Sequence, residues 1–135
     1  MIERSERPWP DGIGHGIGRM KVLVVEDEPL LAMLLEESLV ELGHEVIASA
    51  ATVEQALEAI DGGAVDLALL DFTLADEADA VPVAERLRDR GIPFGYLTGH
   101  RSLPLGAGVP RAPLITKPFT LDQLDGALRE MKLAA

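Results

Sequence analysis

Apolar and polar positions along the chain keep two rhythms, short continuous apolar runs and longer stretches with helical spacing. Residues 21–26 form a short β-branched run suited to a buried strand. Pro29 then fits the first turn of a helix in which Leu31, Leu34, Leu35, Leu39 and Leu42 recur at helical spacing until Gly43 stops it. Residues 45–48 read as a second strand, and Thr52 with Gln55 has the capping-box spacing that opens a helix through about Ile60, ended by Gly62-Gly63. Residues 65–70 are apolar apart from Asp66 near their start, as a strand covered on both faces requires. Pro82, Val83, Ala84 and Leu87 begin a helix that Gly91 closes, and residues 94–98 form a fourth strand. Residues 99–113 are broken by Gly99, Gly106, Gly108, Pro104, Pro110 and Pro113, which predicts a loop with at most one or two helical turns. Residues 114–116 are the fifth strand, and Thr120 with Gln123 caps a last helix carrying Leu121, Leu124, Leu128 and Met131.

Five strands alternating with four or five helices predict an α/β fold. Right-handed crossovers and short connections favour a flavodoxin-like (βα)5 doubly wound parallel sheet of order 2-1-3-4-5, with the fourth helix short or irregular. Residues 20–133 make one domain, and residues 1–19, rich in Gly and Pro with Trp9 as the one plausible contact residue, read as a disordered leader. At 135 residues a single domain without a separate output module is expected. With 47% hydrophobic but only 4% aromatic residues, the core is expected to be aliphatic.

The net charge of −11 is unevenly placed, because no Lys or Arg lies between Lys21 and Arg86 while sixteen acids do. Such a surface attracts Mg²⁺ and basic partners and repels polyanions, which argues against a nucleic-acid partner. The chain has no cysteine, which excludes disulfides and thiolate-held metals. Residues 30–35, the longest apolar run, are too short to span a bilayer, and no secretory signal follows Arg4 and Arg7. A cytoplasmic protein without membrane contact is expected. His15, His44 and His100 have no ligand spacing, which argues against zinc, and are read as surface residues.

The polar residues that end the apolar runs carry the chemistry. The first run leads into Glu26-Asp27, the third into Asp71, the fourth into Thr98 and the fifth into Thr116-Lys117-Pro118. On parallel strands all of these meet along one sheet edge, and Glu26, Asp27 and Asp71 fall beside the reversal in strand order where such sheets bind ligands. Each residue alone has an ordinary use: Asp27 could cap the first helix, Asp71 a turn, and Lys117 could be one more exposed amine. Packing has no use for three carboxylates in one crevice, since their repulsion opposes folding unless a cation offsets it. Mg²⁺ suits such a set, taking a few carboxylate oxygens and completing its shell with water and a phosphoryl oxygen.

Glu26-Asp27, Asp71, Thr98 and Lys117-Pro118-Phe119, in this order on five βα units, resemble the response-regulator receiver domain of two-component signalling, over about residues 20–133. The resemblance implies phosphoryl transfer from a histidine kinase to Asp71, with Mg²⁺ held by Asp27, Asp71 and the backbone carbonyl of Thr73, and Glu26 assisting. Lys117 would meet the phosphoryl oxygens, Thr98 would donate a hydrogen bond to them, and a cis Lys117–Pro118 bond is expected. Signalling would then proceed by phosphorylation-dependent protein binding or onward phosphorelay from a stand-alone regulator; the alternative is a receiver-like interaction module that is never phosphorylated. Asp71-Phe72-Thr73 lacks the second aspartate of a phosphatase, so the protein is not expected to be an enzyme beyond slow self-dephosphorylation.

Two departures from the family pattern stand out. Leu114 occupies the place of the usual switch aromatic, and Leu74-Ala75-Asp76-Glu77 replaces the usual Pro and Gly after the acceptor. Together with Pro93-Phe94-Gly95-Tyr96-Leu97-Thr98-Gly99, these resemble a subgroup with a Phe-Ala-Thr-Gly type motif, commonly paired with HWE or HisKA2 kinases. Tyr96 is then either a displaced reporter or core.

Overall fold

A computed structural model of the chain describes residues 18–72, 80–99 and 110–134. The elements run β1 (Lys21–Val25), α1 (Pro29–Glu41), β2 (Glu45–Ala50), α2 (Val53–Asp61), β3 (Leu67–Asp71), α3 (Ala80–Asp89), β4 (Phe94–Thr98), β5 (Leu114–Thr116) and α4 (Leu121–Ala134). All strand pairs are parallel, and the sheet order is β2-β1-β3-β4-β5, as expected from the pattern. The expected loop over residues 99–113 and the leader fall largely outside the described residues. No described helix is long and apolar enough to cross a membrane.

Strand alternation splits the core into two layers. Leu23, Val25, Ala68, Leu70, Phe94 and Tyr96 face α2 and α3 on one side of the sheet. Val22, Val24, Leu67, Leu69, Leu97 and Ile115 face α1 and α4 on the other. β1, β3 and β4 are buried on both faces apart from Lys21, which explains why they read as continuous apolar runs.

Both helices are capped by the expected pairs, at α4 as a full capping box and at α2 with the return bond shifted to the residue before the N-cap. Thr52 Oγ1 accepts from the Gln55 N–H at 3.1 Å, and Gln55 Oε1 accepts in return from the Ala51 N–H at 2.8 Å. At α4, Gln123 N–H donates to Thr120 Oγ1 at 3.1 Å and Thr120 N–H to Gln123 Oε1 at 2.9 Å. β2 runs two residues beyond the expected end at Ala48, pairing with β1 as far as Val25–Ala50, with a register shift between Val22 and Leu23.

Two sequence expectations are corrected. Leu34, assigned to the core face of α1, is 50% exposed, and Ala32 joins Leu35, Leu39 and Leu42 against the sheet. The helix is apolar around much of its circumference, so spacing alone admits more than one inward stripe.

His44, read as a surface residue, is buried. Its Nδ1 accepts from the Met20 N–H at 3.1 Å, tying the start of β1 to the turn after α1. Burial holds its pKa below the usual 6.5, partly opposed by Asp125 of α4, whose carboxylate also accepts from Arg129 Nε at 2.9 Å. A lowered folded-state pKa means that the unfolded chain takes up the proton first. The resulting stability is present above pH 6.5 and is lost as pH falls through the folded-state value. Relative to His44→Gln, which cannot titrate, the wild type is expected to lose urea resistance between pH 7 and pH 5, an interval about the ordinary histidine pKa. Parallel unfolding midpoints across that interval would refute the assignment.

Candidate functional site

Backbone hydrogen bonds continue past the strand ends and hold the polar tips in place. Glu26 N–H donates to Ala50 O at 2.9 Å, Phe72 N–H to Leu97 O at 3.0 Å, and Lys117 N–H to Thr98 O at 2.8 Å. Val25 pairs with Leu70, so the next step along both strands sets Glu26 beside Asp71. Asp71 pairs with Leu97, which puts Thr98 one step further along the neighbouring strand, and Thr98 in turn pairs with Thr116, next to Lys117.

The side chains converge as this register requires. Carboxylate oxygens of Glu26, Asp27 and Asp71 lie within 4.8 Å of one another, with Glu26 and Asp71 buried and Asp27 half-buried. Lys117 Nζ stands 3.3 Å from Asp71 Oδ2 and 3.6 Å from Glu26 Oε1. Thr98 is fully buried. The Lys117–Pro118 peptide bond is cis, as the resemblance implied. Thr73, whose carbonyl was expected to complete the cation site, lies outside the described residues, as do Leu74-Ala75-Asp76-Glu77 and His100. The N-cap of α1 is Glu28, without a side-chain cap bond.

One ammonium against three carboxylates leaves the crevice with excess negative charge. Burial raises the Glu26 pKa to about 7, helped by the hydrogen bond and charge of Asp71 and opposed by the Glu28 N–H and by Lys117. The Glu28 N–H, which donates to Glu26 Oε2 at 3.2 Å, is a contribution that residue type cannot signal, since every non-proline residue carries that group. Glu26 Oε1 is buried without a hydrogen-bond partner. An all-oxygen set of carboxylates with one buried, unsatisfied acceptor fits a hard divalent cation such as Mg²⁺.

Cation binding here should therefore displace a proton. Below about pH 7 Glu26 holds that proton, so apparent Mg²⁺ affinity is expected to climb from pH 6 to pH 7 and level off above it. Mg²⁺ titrations followed by backbone amide shifts at pH 6, 7 and 8 check this. An affinity that does not change with pH would mean that Glu26 is not displaced from its protonated form.

Leu114 stands at the head of β5, 36% exposed, with no aromatic there to rotate. Tyr96 is buried, with its hydroxyl donating to Pro110 O at 2.6 Å. Its ring makes edge contacts with Phe72, centroid to centroid 5.4 Å, and with Phe94 at 5.7 Å. Burial pushes the phenol pKa to about 12, so it remains a donor. Tyr96 is thus a core residue that also ties the chain entering β5 to a ring beside the residue after Asp71.

A family model described as the response regulator receiver domain matches residues 22–129. Among curated proteins, the transcriptional regulatory protein TcrA of Mycobacterium tuberculosis is 36% identical over 128 residues, covering 89% of this chain and 50% of TcrA. The chain spans about half the length, or less, of the curated relatives it matches. Among solved structures, SdrG from Sphingomonas melonis Fr1 has a TM-score of 0.74 at 37% identity, covering 84% of this chain and 96% of SdrG. The BeF3-activated conformation of SdrG from Pseudomonas melonis Fr1 matches with a TM-score of 0.70 at 38% identity, covering 81% of this chain and 92% of that one. The anti-anti-sigma factor PhyR from Bartonella quintana has a TM-score of 0.74 at 30% identity, covering 87% of this chain and 49% of PhyR.

Proposed function

The chain belongs to the response regulator receiver domain family, and from that premise we propose that Asp71 accepts a phosphoryl group from a histidine kinase, with Mg²⁺ held by Glu26, Asp27, Asp71 and the Thr73 carbonyl. The observation that carries this reading is the meeting of three carboxylates and the Lys117 ammonium at the strand reversal. An Asp71 carboxylate oxygen attacks phosphorus, the phosphorus–nitrogen bond of the phosphohistidine breaks, and the leaving imidazole nitrogen keeps the electron pair and takes up a proton. Bound Mg²⁺ supplies positive charge for the phosphoryl oxygens. Lys117 gives up its contact with Asp71 to meet those oxygens, and the Thr98 hydroxyl donates to them.

The modified chain signals by binding another protein or by passing the phosphoryl group on. Likeness to a protein whose name makes it an anti-anti-sigma factor supports a protein partner. The run from Pro93 to Gly99 favours kinases of the HWE or HisKA2 type. The chain is a phosphoacceptor rather than an enzyme, its acyl phosphate returning slowly to carboxylate as water attacks phosphorus.

The reading is tested by incubating the protein with Mg²⁺ and either acetyl phosphate or an autophosphorylated histidine kinase. Intact mass should rise by one phosphoryl group, and chelating the metal should prevent the rise. No added mass from either donor would favour an interaction module that works unphosphorylated.

A further inference from the structure

We propose that a cavity between the amino-terminal ends of β4 and β5 binds a small carboxylate with an apolar body, its anionic head held by Arg88 and Arg111. The cavity, of about 260 Å³, is walled by Ile92, Phe94, Pro113 and Met131. It lies at the end of the sheet opposite Asp71, so the phosphoryl chemistry does not account for it. Its volume sits just below the usual range for drug-sized ligands, which favours a compact occupant over a nucleotide or cofactor.

The floor is preformed. Phe94 and Met131 are almost wholly buried, and Met131 lies so close over β4 that a Cβ at Gly95 would come within 2.5 Å of its Cε. The missing side chain at Gly95 leaves the room that the tip of Met131 occupies against β4.

The rim carries the charge. Arg111 forms no ion pair among the described residues, and Arg88 has only a 3.4 Å contact with its own neighbour Asp89, both side chains being largely exposed. Two guanidinium groups on one apolar concavity are a local exception in a chain of net charge −11. A small anion is repelled from most of this surface and attracted here. Guanidinium donors are arranged as a fork that matches a carboxylate. The predominantly apolar wall selects an anion with a hydrocarbon body over a bare inorganic one.

The test follows backbone amide shifts of the full chain titrated with cyclohexanecarboxylate, cyclohexanecarboxamide and inorganic phosphate. The carboxylate should give saturable shifts at Ile92, Phe94 and Ala112, the uncharged amide should bind about tenfold more weakly or worse, and phosphate should leave those amides unmoved. Arg88→Gln combined with Arg111→Gln, both on the exposed rim, should keep the melting temperature and bring carboxylate binding down to the level of the amide. Ala112→Phe, which fills the space, should remove both. Equal binding by carboxylate and amide, unaltered binding in the double variant, shifts centred elsewhere, or no saturable shifts would each overturn the proposal. No phosphoryl donor enters the experiment, so its failure would leave the reading of Asp71 standing.

Discussion

Asp71→Asn is expected to reduce phosphoryl incorporation below detection from either donor while leaving the fold intact. The amide keeps the shape of the carboxylate but offers no anionic oxygen to attack phosphorus. Asp71 is buried at the tip of a strand covered on both faces, so no other carboxylate can occupy its position without moving β3. Glu26 and Asp27 lie close by, yet one Glu26 oxygen is engaged by the Glu28 N–H, and with metal bound both carboxylates would be turned toward the cation. The same substitution has a second consequence. The charge and hydrogen bond of Asp71 are among the causes raising the Glu26 pKa, so that value should fall in the variant. Intact mass spectrometry reads the first effect and carboxyl carbon shifts followed against pH read the second. Stoichiometric phosphorylation of the variant would remove Asp71 from its role.

The strand tips were legible in the sequence because a buried parallel strand has a simple signature, an unbroken apolar run, and because the polar residue that ends it must lie at the sheet edge. That logic located Glu26, Asp71, Thr98 and Lys117 from residue type and order alone, and the helix caps at Thr52 and Thr120 were equally local. What escaped was decided between distant segments. His44 is buried with its ring accepting from an N–H twenty-four positions away, a bond that no window around His44 contains. Leu34 was misplaced because α1 presents apolar residues around much of its circumference, and the choice of inward stripe belongs to the sheet and α4. The cavity between Arg88 and Arg111 is likewise a product of packing, since its walls come from the turn after α3, from the chain entering β5 and from α4.

Lys117→Met separates the two uses of that ammonium. In the unphosphorylated protein Lys117 lies against both Asp71 and Glu26 and opposes the rise in the Glu26 pKa. Methionine keeps an apolar stem of similar length but leaves the buried carboxylates without a counter-charge, so Glu26 should hold its proton to higher pH. A carboxylate whose folded-state pKa is raised contributes stability that is fully present below the unfolded value of 4.5 and is lost as pH rises through the folded value. Metal-free Lys117→Met should therefore approach wild-type stability near pH 5 and fall progressively behind it toward pH 8, values on either side of the titration at about 7. If balancing ground-state charge were its whole role, the variant at saturating Mg²⁺ would take up phosphoryl groups at the normal rate. If Lys117 also meets the phosphoryl oxygens in the transition state, the rate should drop by about 10²–10³-fold, the usual cost of removing one preorganised donor, even where the fold is intact. Lys117→Arg should restore the pH profile of stability more fully than the rate, because it returns the charge with a planar group of different reach. Normal phosphorylation of Lys117→Met at saturating metal would confine the residue to the ground state.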